Sequence, residues 1–348
     1  NSSLLAARVA ERSAETGEHY ITRDWPQYRS MLRKAAGGGA LTGGTTLLKF
    51  MIMGLGLSAF WGGFWAGAMY AASFVVIQLL HCTLATKQPA MTAPAMAAKL
   101  KDIGTPEAVN AFVDEVAHLM RSQAAAVLGN VLVVFPVVLL LSVGIGLLLG
   151  HPMLGAKEAA YTLHSLSLLG PTLLFAGFTG CLLFASSIIA GWVENWFVLR
   201  RLDSAMRYNP GITGILGVER AGRWAHFMRN NISGFASNIS LGFMLGLIPP
   251  IMAFFSLPLE VRHVTLSAGQ LAAASVAYGV QTVFMPAFWW AVAAIPLIGA
   301  LDLGVSFYLA YQLALRAHNV SGVQRAHIHQ AIWARWRHRP LNFFIPAG

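Results

Sequence analysis

Hydrophobic residues form five long runs along the chain. Each run is free of Asp, Glu, Lys and Arg, and the runs cover residues 50–86, 122–156, 159–193, 230–259 and 264–301. A helix that crosses the hydrocarbon core of a bilayer, about 30 Å thick, needs roughly 20 such residues. The runs recur along the chain and are too long to be signal peptides. The pattern therefore predicts an all-α fold, a polytopic transmembrane helix bundle.

We predict about six spans in this bundle, together with amphipathic or re-entrant helices. The spans lie near residues 41–60, 64–82, 125–149, 170–193, 236–256 and 288–314. Trp61–Gly63 is the predicted turn of the first hairpin, and Pro249 and Pro250 are expected to interrupt the hydrogen-bond ladder of the fifth span. The Ala-rich segment 266–284 is predicted to be re-entrant or in-plane, because a crossing there would carry the basic C-terminal tail to the other side of the membrane.

Two local patterns mark boundaries near the spans. Thr105, Pro106 and Glu107 combine a hydroxyl cap, a proline at the first helical position and an acid in the first turn, which predicts a helix start. The following helix is amphipathic and leads into the third span. Gly37–Gly39 is expected to break the chain before the first span.

Composition and charge agree with a membrane location. Of 348 residues, 56% are hydrophobic and 11% are charged, against about 25% charged in soluble domains. The net charge of +10 comes from basic clusters at 8–34, 200–229 and 316–339. The positive-inside rule explains such clusters, so nucleic acid is not the expected partner. The division predicted is a cytoplasmic basic arm (1–34), a transmembrane helical domain (35–316) and a basic cytoplasmic tail (317–348).

The sequence gives no reason to expect a cofactor or a metal site. Cys82 and Cys181 are too few and too isolated for a disulfide framework or a zinc site. His327 and His329 point to different helix faces, as solvated tail residues do. We therefore expect neither cofactor nor metal.

Lys49 and Asp302 are the two ionisable residues placed clearly inside apolar spans. A charge at the bilayer centre costs at least about 2.5 kcal/mol on insertion scales, so such residues are often functional. Their opposite signs predict an intramembrane charge pair. The pair would be either a structural tie between helices or part of an ion or solute pathway.

Two groups of polar residues are candidates for substrate binding. Asn231 and Asn238 are seven residues apart and share one helix face with Ser240 close by, so they either join helices or line a hydrophilic cavity. Lys87 and Gln88 lie in a segment broken by prolines. They either form a donor cluster for an anionic headgroup or solute, or belong to an ordinary loop.

Several blocks of the sequence resemble one known family. These are GEHYITR (17–23), AAGGGALT (35–42), LATKQPAMTAPA (84–95), NISGFASNISLGFMLG (231–246) and LPLEVRHVTLS (257–267). Together they are similar to a family of bacterial transmembrane proteins catalogued as site-specific recombinases. The resemblance implies an inner-membrane protein of Gram-negative bacteria with a further N-terminal region, in keeping with a chain that opens on Asn1 rather than Met.

The catalytic pattern of a tyrosine recombinase is not evident in these residues. Such enzymes surround the scissile phosphate with cationic donors and a tyrosine nucleophile on a soluble domain. Two His-x-x-Arg strings occur, His118–Arg121 and His226–Arg229, but each directly precedes a span, where arginine is expected anyway. Tyr20, Tyr28 and Tyr208 stand in no catalytic frame.

We therefore expect a non-enzymatic inner-membrane protein, multi-pass with both termini cytoplasmic. It would bind or move a small or lipidic solute, or scaffold partners at the membrane. Membrane lipids are the expected partners, with other proteins or a homo-oligomer as alternatives. The alternative function is a membrane-associated site-specific DNA recombinase or accessory factor, as the family name implies.

Overall fold

In a computed structural model, which describes residues 21–84, 96, 105–317 and 322–346, the protein is a bundle of α-helices with no strand in those ranges. The helices are α1 (Trp25–Gly54), α2 (Ala59–Leu79), α3 (Pro106–Leu149), α4 (Ala156–Ser165), α5 (Thr172–Leu199), α6 (Leu202–Tyr208), α7 (Pro210–Leu216), α8 (Val218–Phe254), α9 (Val264–Tyr278), α10 (Pro286–Ala317) and α11 (Gly322–His338). Short 3-10 helices cover Gly279–Phe284 and Pro340–Phe343. The predicted all-α class is confirmed.

Five helices are long and apolar enough to cross a membrane by length and composition: α2, α3, α5, α8 and α10. Their exposed surfaces carry large apolar side chains, such as Leu132, Leu140 and Leu148 on α3. Contiguous apolar surface of this kind suits a lipid environment. The sixth long helix, α1, has 30 residues but is not among the five, because glycines and threonines dilute its hydrophobicity.

Two helix starts follow directly from capping chemistry. The side chain of Asp24 accepts a hydrogen bond from the backbone N–H of Gln27 at the start of α1. The hydroxyl of Thr105 accepts one from Ala108 N–H, which confirms the predicted start of α3. Both caps satisfy backbone donors that have no partner within the helix.

The predicted turn of the first hairpin was wrong, and the prolines of the fifth span do not end their helix. Trp61–Gly63 lies inside α2, and the turn of the hairpin lies earlier in the chain, at 55–58, where Gly56 has a φ of +63°. Helix α8 continues through Pro249 and Pro250 to Phe254. Pro249 and Pro250 have no N–H to donate to the carbonyls of Leu245 and Gly246, so two bonds of the ladder are missing, but the helix does not end there.

The helices alternate in direction. Helices α1 and α3 run parallel, since Thr22 meets Ser122 at one end and Gly43 packs on Val137 farther along. Helix α2 runs antiparallel to α1 and to α8. Contacts that fix these directions join Thr45 to Ser73, Gly63 to Gly246 and Gln78 to Asn231.

Both described termini lie at one end of the bundle, which we call the terminal end. Thr22 N–H donates to Ser122 Oγ (2.7 Å), and Arg335 of α11 pairs with Asp114 near the start of α3 (2.6 Å). Since α1 begins at Trp25, the described part of the predicted basic arm continues directly into the bundle. This arrangement agrees with the prediction that both termini lie on one side of the membrane. That this side is the cytoplasm stays a prediction.

The chain turns back into the bundle after α8. Residues 258–263 are non-helical and lead from the opposite end into the interior, where α9 begins. Helix α9 has 15 residues, 11 of them buried, and its length of about 22 Å is shorter than a bilayer core. Helix α9 is not among the five helices long and apolar enough to cross, which agrees with the prediction that 266–284 is re-entrant or in-plane. Residues 258–278 are called the re-entrant segment below.

Candidate functional site: a buried polar cluster at the start of the re-entrant helix

Hydrogen bonds from α4 and α5 hold the incoming part of the re-entrant segment. The Arg262 N–H donates to Thr179 Oγ1 (2.7 Å), and its guanidinium donates to Ser165 O (2.9 Å) and to the carboxylate of Glu260 (2.7 Å). Tyr161 donates its hydroxyl proton to the same carboxylate (3.0 Å). Arg262 is only 7% exposed. Its several partners offset the cost of burying its charge.

The mouth of this segment is partly open to the outside of the bundle. Tyr161 is exposed, and the side chain of Glu260 is 37% exposed. Partial burial and the neighbouring Glu260 carboxylate raise the pKa of Tyr161 above its ordinary value. Tyr161 therefore stays protonated and continues to donate to Glu260 at neutral pH.

The first turn of α9 faces Asp302 in the middle of α10. The Val264 N–H donates to Asp302 Oδ2 (2.9 Å), and Asp302 is fully buried. The carboxyl thus caps a helix whose positive dipole end lies inside the bundle. His263 precedes Val264, is 2% exposed, and stacks on the ring of Phe74 with centroids 6.1 Å apart.

Asn130 of α3 connects α9 to the first two helices. Its Nδ2 donates to Ala35 O (2.6 Å) and Thr83 O (2.9 Å), and its Oδ1 accepts from Thr265 Oγ1 (3.4 Å). Asn130 and Thr265 are both fully buried. One amide therefore joins α1, α3, the chain after α2 and the re-entrant helix.

The glycines 37–39 make this contact possible, so the predicted break there was wrong. They lie inside α1. A Cβ at Gly39 would collide with the backbone carbonyl of Asn130, and a Cβ at Gly38 with the carbonyl of Thr83. These glycines serve the close approach of three backbones rather than a chain break.

The predicted Lys49–Asp302 ion pair is not formed among the described residues. Asp302 is bonded to Val264 instead. Lys49 is half-buried, and the charges that act on it are those of Arg262 and Glu260. Both residues do contribute to the polar interior, but through different neighbours.

Asn231 and Asn238 contact Gln78 of α2. The Gln78 side chain donates to Asn231 Oδ1 (3.2 Å) and accepts from Asn238 Nδ2 (2.6 Å). Ser240 donates to the backbone carbonyl of Ser237 (3.1 Å). This geometry favours the first of the two alternatives, helix-packing contacts, over a solute cavity. Lys87 and Gln88 lie outside the described residues.

The two His-x-x-Arg strings have structural partners at the terminal end. Arg121 is 5% exposed and donates to Asn342 O (2.7 Å). Arg229 pairs with Asp203 (2.7 Å). Burial opposes ionisation of Asp203, but hydrogen bonds from Ser204 and Arg229 outweigh it and leave the pKa of Asp203 below its ordinary value.

Two of the tyrosines considered as nucleophiles, Tyr28 on α1 and Tyr208 on α6, lie at the same end, and Tyr28 interacts electrostatically with Arg121. Tyr28 is buried in an apolar cluster with Met31 and Ala35, Tyr208 is exposed on α6, and Tyr20 lies outside the described residues. Within the described ranges, no group of three or more His, Cys, Asp or Glu side chains could hold a metal ion.

Sequence reasoning missed Arg262, His263 and Asn130. A signal for the first two was present, since Glu260, Arg262 and His263 form a short polar interruption between the apolar runs 230–259 and 264–301. Asn130 is a single amide in an apolar run. Its partners are 47 to 135 residues away, so only the fold reveals its role.

Membrane-length helices around a re-entrant half-helix define the class of this chain as a polytopic α-helical membrane protein. The profile of a family described as site-specific recombinase matches residues 1–346. Because that match covers nearly the whole chain, the protein belongs to this family, as the sequence resemblance implied. Comparisons with curated proteins and with solved structures found no match.

Proposed function

We propose that this protein is a bacterial inner-membrane protein that binds and moves a small polar solute or ion along the re-entrant segment. The observation that supports the proposal is that helix α9 begins inside the bundle, where its first N–H bonds to the buried carboxyl of Asp302. Arg262, His263 and Asn130 are buried around the same point. Burying such groups is expensive. In membrane proteins, non-helical backbone at depth is tolerated where it is packed in protein or lines a cavity, and it is common at transport sites.

A small solute fits this cluster better than a lipid or a scaffolding partner. The polar groups are closed off from the surface, with Asp302 and Thr265 fully buried, so a bulky ligand could not reach them without separating whole helices. The segment 258–263 has no helical hydrogen bonds of its own. Movement of this segment would open the cluster toward the end of the bundle opposite the termini.

Cysteine accessibility tests this route. Cys82 and Cys181 are first replaced by alanine and serine, and single cysteines are introduced by Val261→Cys and Thr265→Cys. We expect a membrane-impermeant, charged thiol reagent to label both from the side opposite the termini only, because water must reach a solute pathway. Labelling is measured on sealed vesicles of each orientation.

Two further variants control the experiment. Tyr161→Cys, at the exposed mouth, should react from that same side and shows that the reagent arrives. Leu297→Cys lies on the exposed, apolar surface of α10 and should stay unlabelled because a charged reagent does not enter lipid. Reaction of Tyr161→Cys without any reaction at Val261→Cys and Thr265→Cys would contradict the proposed route.

The alternative function is DNA recombination or an accessory role in it, as the family's description states. The observation that favours it is the set of exposed arginines at the terminal end, Arg200, Arg201, Arg207, Arg220 and Arg223. The positive-inside rule accounts for the same residues. Binding of duplex DNA by purified protein, with affinity falling steeply as salt rises, would favour the alternative.

A further inference from the structure

Asp302 is bonded through one of its two carboxyl oxygens. Oδ2 accepts the Val264 N–H (2.9 Å), whereas Oδ1 is buried and has no hydrogen-bond partner among the described residues. None of the ion pairs formed in those ranges involves Asp302. An ionised carboxylate left in this state is far more costly than a neutral carboxyl.

The ionisable groups around Asp302 do not neutralise it. The re-entrant segment presents Arg262 and His263, but the guanidinium of Arg262 is bonded to Glu260 and Ser165 O, and His263 stacks on Phe74. Helix α1 presents Lys49, whose charged neighbours are Arg262 and Glu260. The apolar runs of α3, α5 and α9 contain no Asp, Glu, Lys or Arg.

We propose that Asp302 is a proton-binding site inside the membrane, which takes up a proton on one oxygen and exchanges it with water when the re-entrant segment opens. In the closed state, the carboxyl is protonated. On opening, it releases the proton to water and becomes a carboxylate, and the reverse step restores the neutral acid. The inference rests on the proposed function, since it names the ion that the re-entrant segment admits.

A proton suits this position better than a metal ion. Hard metal ions require several oxygen ligands around them, but no hydroxyl, amide or carboxylate of the described residues is bonded to Asp302 Oδ1. A proton needs the carboxylate alone. The bond from Val264 keeps the carboxyl oriented in both states, because Oδ2 can accept it with or without a proton on Oδ1.

Infrared spectroscopy of the full chain in lipid tests the proposal directly. The C=O stretch of a protonated carboxyl is separate from the bands of ionised carboxylates. We expect the wild-type spectrum at neutral pH to contain a protonated-carboxyl band that Asp302→Asn removes, because Asn is nearly isosteric and carries no titratable proton. The band should shift on transfer to heavy water, as an exchangeable O–H must, and fade at alkaline pH.

Asp203→Asn is the matched control. Asp203 lies at the surface and pairs with Arg229, so its loss should remove an ionised-carboxylate band and leave the protonated band unchanged. If Asp302→Asn does not fold, Asp302→Glu keeps a carboxyl at the site and should displace the protonated band rather than abolish it.

Two results would overturn the proposal. The first is that the band missing from the Asp302→Asn spectrum at neutral pH belongs to an ionised carboxylate. The second is a protonated band that does not shift in heavy water, which would mean a locked structural acid. Either result could occur while Thr265→Cys still reacts with the thiol reagent. The proton site and the solute route can therefore fail separately.

Discussion

The two ionisable residues of the apolar spans have different neighbours in the interior. Lys49 and Asp302 are the two ionisable residues that interrupt the apolar spans, and they were expected to pair. Instead, Asp302 caps α9 through Val264, and Lys49 interacts electrostatically with Arg262 and Glu260. Neither residue depends on the other for neutralisation.

This arrangement predicts independent effects of substitution at the two positions. The unfolding free energies of Lys49→Met, Asp302→Asn and the double variant should be additive to within about 0.5 kcal/mol, as for sites without shared partners. Unfolding in mixed detergent measures them. Rescue of one variant by the other, with a coupling approaching the 3–5 kcal/mol typical of a broken buried pair, would restore the ion-pair hypothesis.

Arg262 should not be replaceable by lysine. The guanidinium donates to Ser165 O, Glu260 and Val261 O in different directions, and a single ammonium cannot reproduce that fork. We expect Arg262→Lys to lower the unfolding free energy by roughly 1–3 kcal/mol, the cost of a buried polar group left unsatisfied. Arg223→Lys is the control, since Arg223 is exposed and its contact with Glu219 is 4.0 Å long. Equal effects of the two substitutions would argue against this role of Arg262.

Glycine contacts position α2 against α8. Gly63 and Gly67 of α2 face Gly242 and Gly246 of α8 at backbone contact distance, and a Cβ at Gly63 would lie 2.7 Å from Gly246 O. Small residues of this kind allow membrane helices to approach closely. The amide contacts of Gln78 with Asn231 and Asn238 continue the same interface.

Adjacent glycines on α2 provide a matched test of this interface. Gly63→Leu should destabilise the fold by about 1–3 kcal/mol, as overpacking does, because the new side chain meets α8. Gly62→Leu should have little effect, since nothing lies within 4 Å of the position where its Cβ would be. Thermal melting in detergent distinguishes the two. A larger effect from Gly62→Leu would show that the α2–α8 contact is wrong.

The direction of the six long helices sets the topology of the whole molecule. Helix α6 follows α5 at the terminal end, where its Asp203 pairs with Arg229 of α8. Helix α11 lies at the same end, since its Arg335 pairs with Asp114 of α3. The turn between α1 and α2 lies at the opposite end. Basic residues concentrate at the terminal end, which the positive-inside rule assigns to the cytoplasm.

Single cysteines in the cysteine-free background test this orientation. Arg207→Cys and Leu341→Cys should both be labelled from the cytoplasmic side, and Ser58→Cys, in the turn between α1 and α2, from the other side. All three residues are exposed. If all three cysteines reacted from the reverse sides, the assigned orientation would be wrong but the fold would stand. If Arg207→Cys and Leu341→Cys reacted from opposite sides, the helix directions would be contradicted.

Much of the helical framework was predictable from the sequence, and the two wrong predictions about glycines have a common cause. The Thr105 start and the non-crossing segment 266–284 were predicted from local chemistry and charge balance. The turn at Trp61–Gly63 and the break at Gly37–Gly39 were wrong, because glycine favours both a turn and a close helix contact. Which role a glycine has depends on what faces it.

The sequence by itself determined that this protein is an all-α bundle of membrane-length helices, because transfer of an apolar segment out of water is a property of that segment alone. It also predicted that one Ala-rich segment stays short of a crossing, and the 15 residues of α9 agree with that prediction. Only the tertiary structure decided which polar groups meet. Val264 and Asp302 are 38 residues apart, and Asn130 and Thr265 are 135 apart. Their bonds exist because six helices and a returning chain bring them into one dry interior, where a polar group without a partner is most costly.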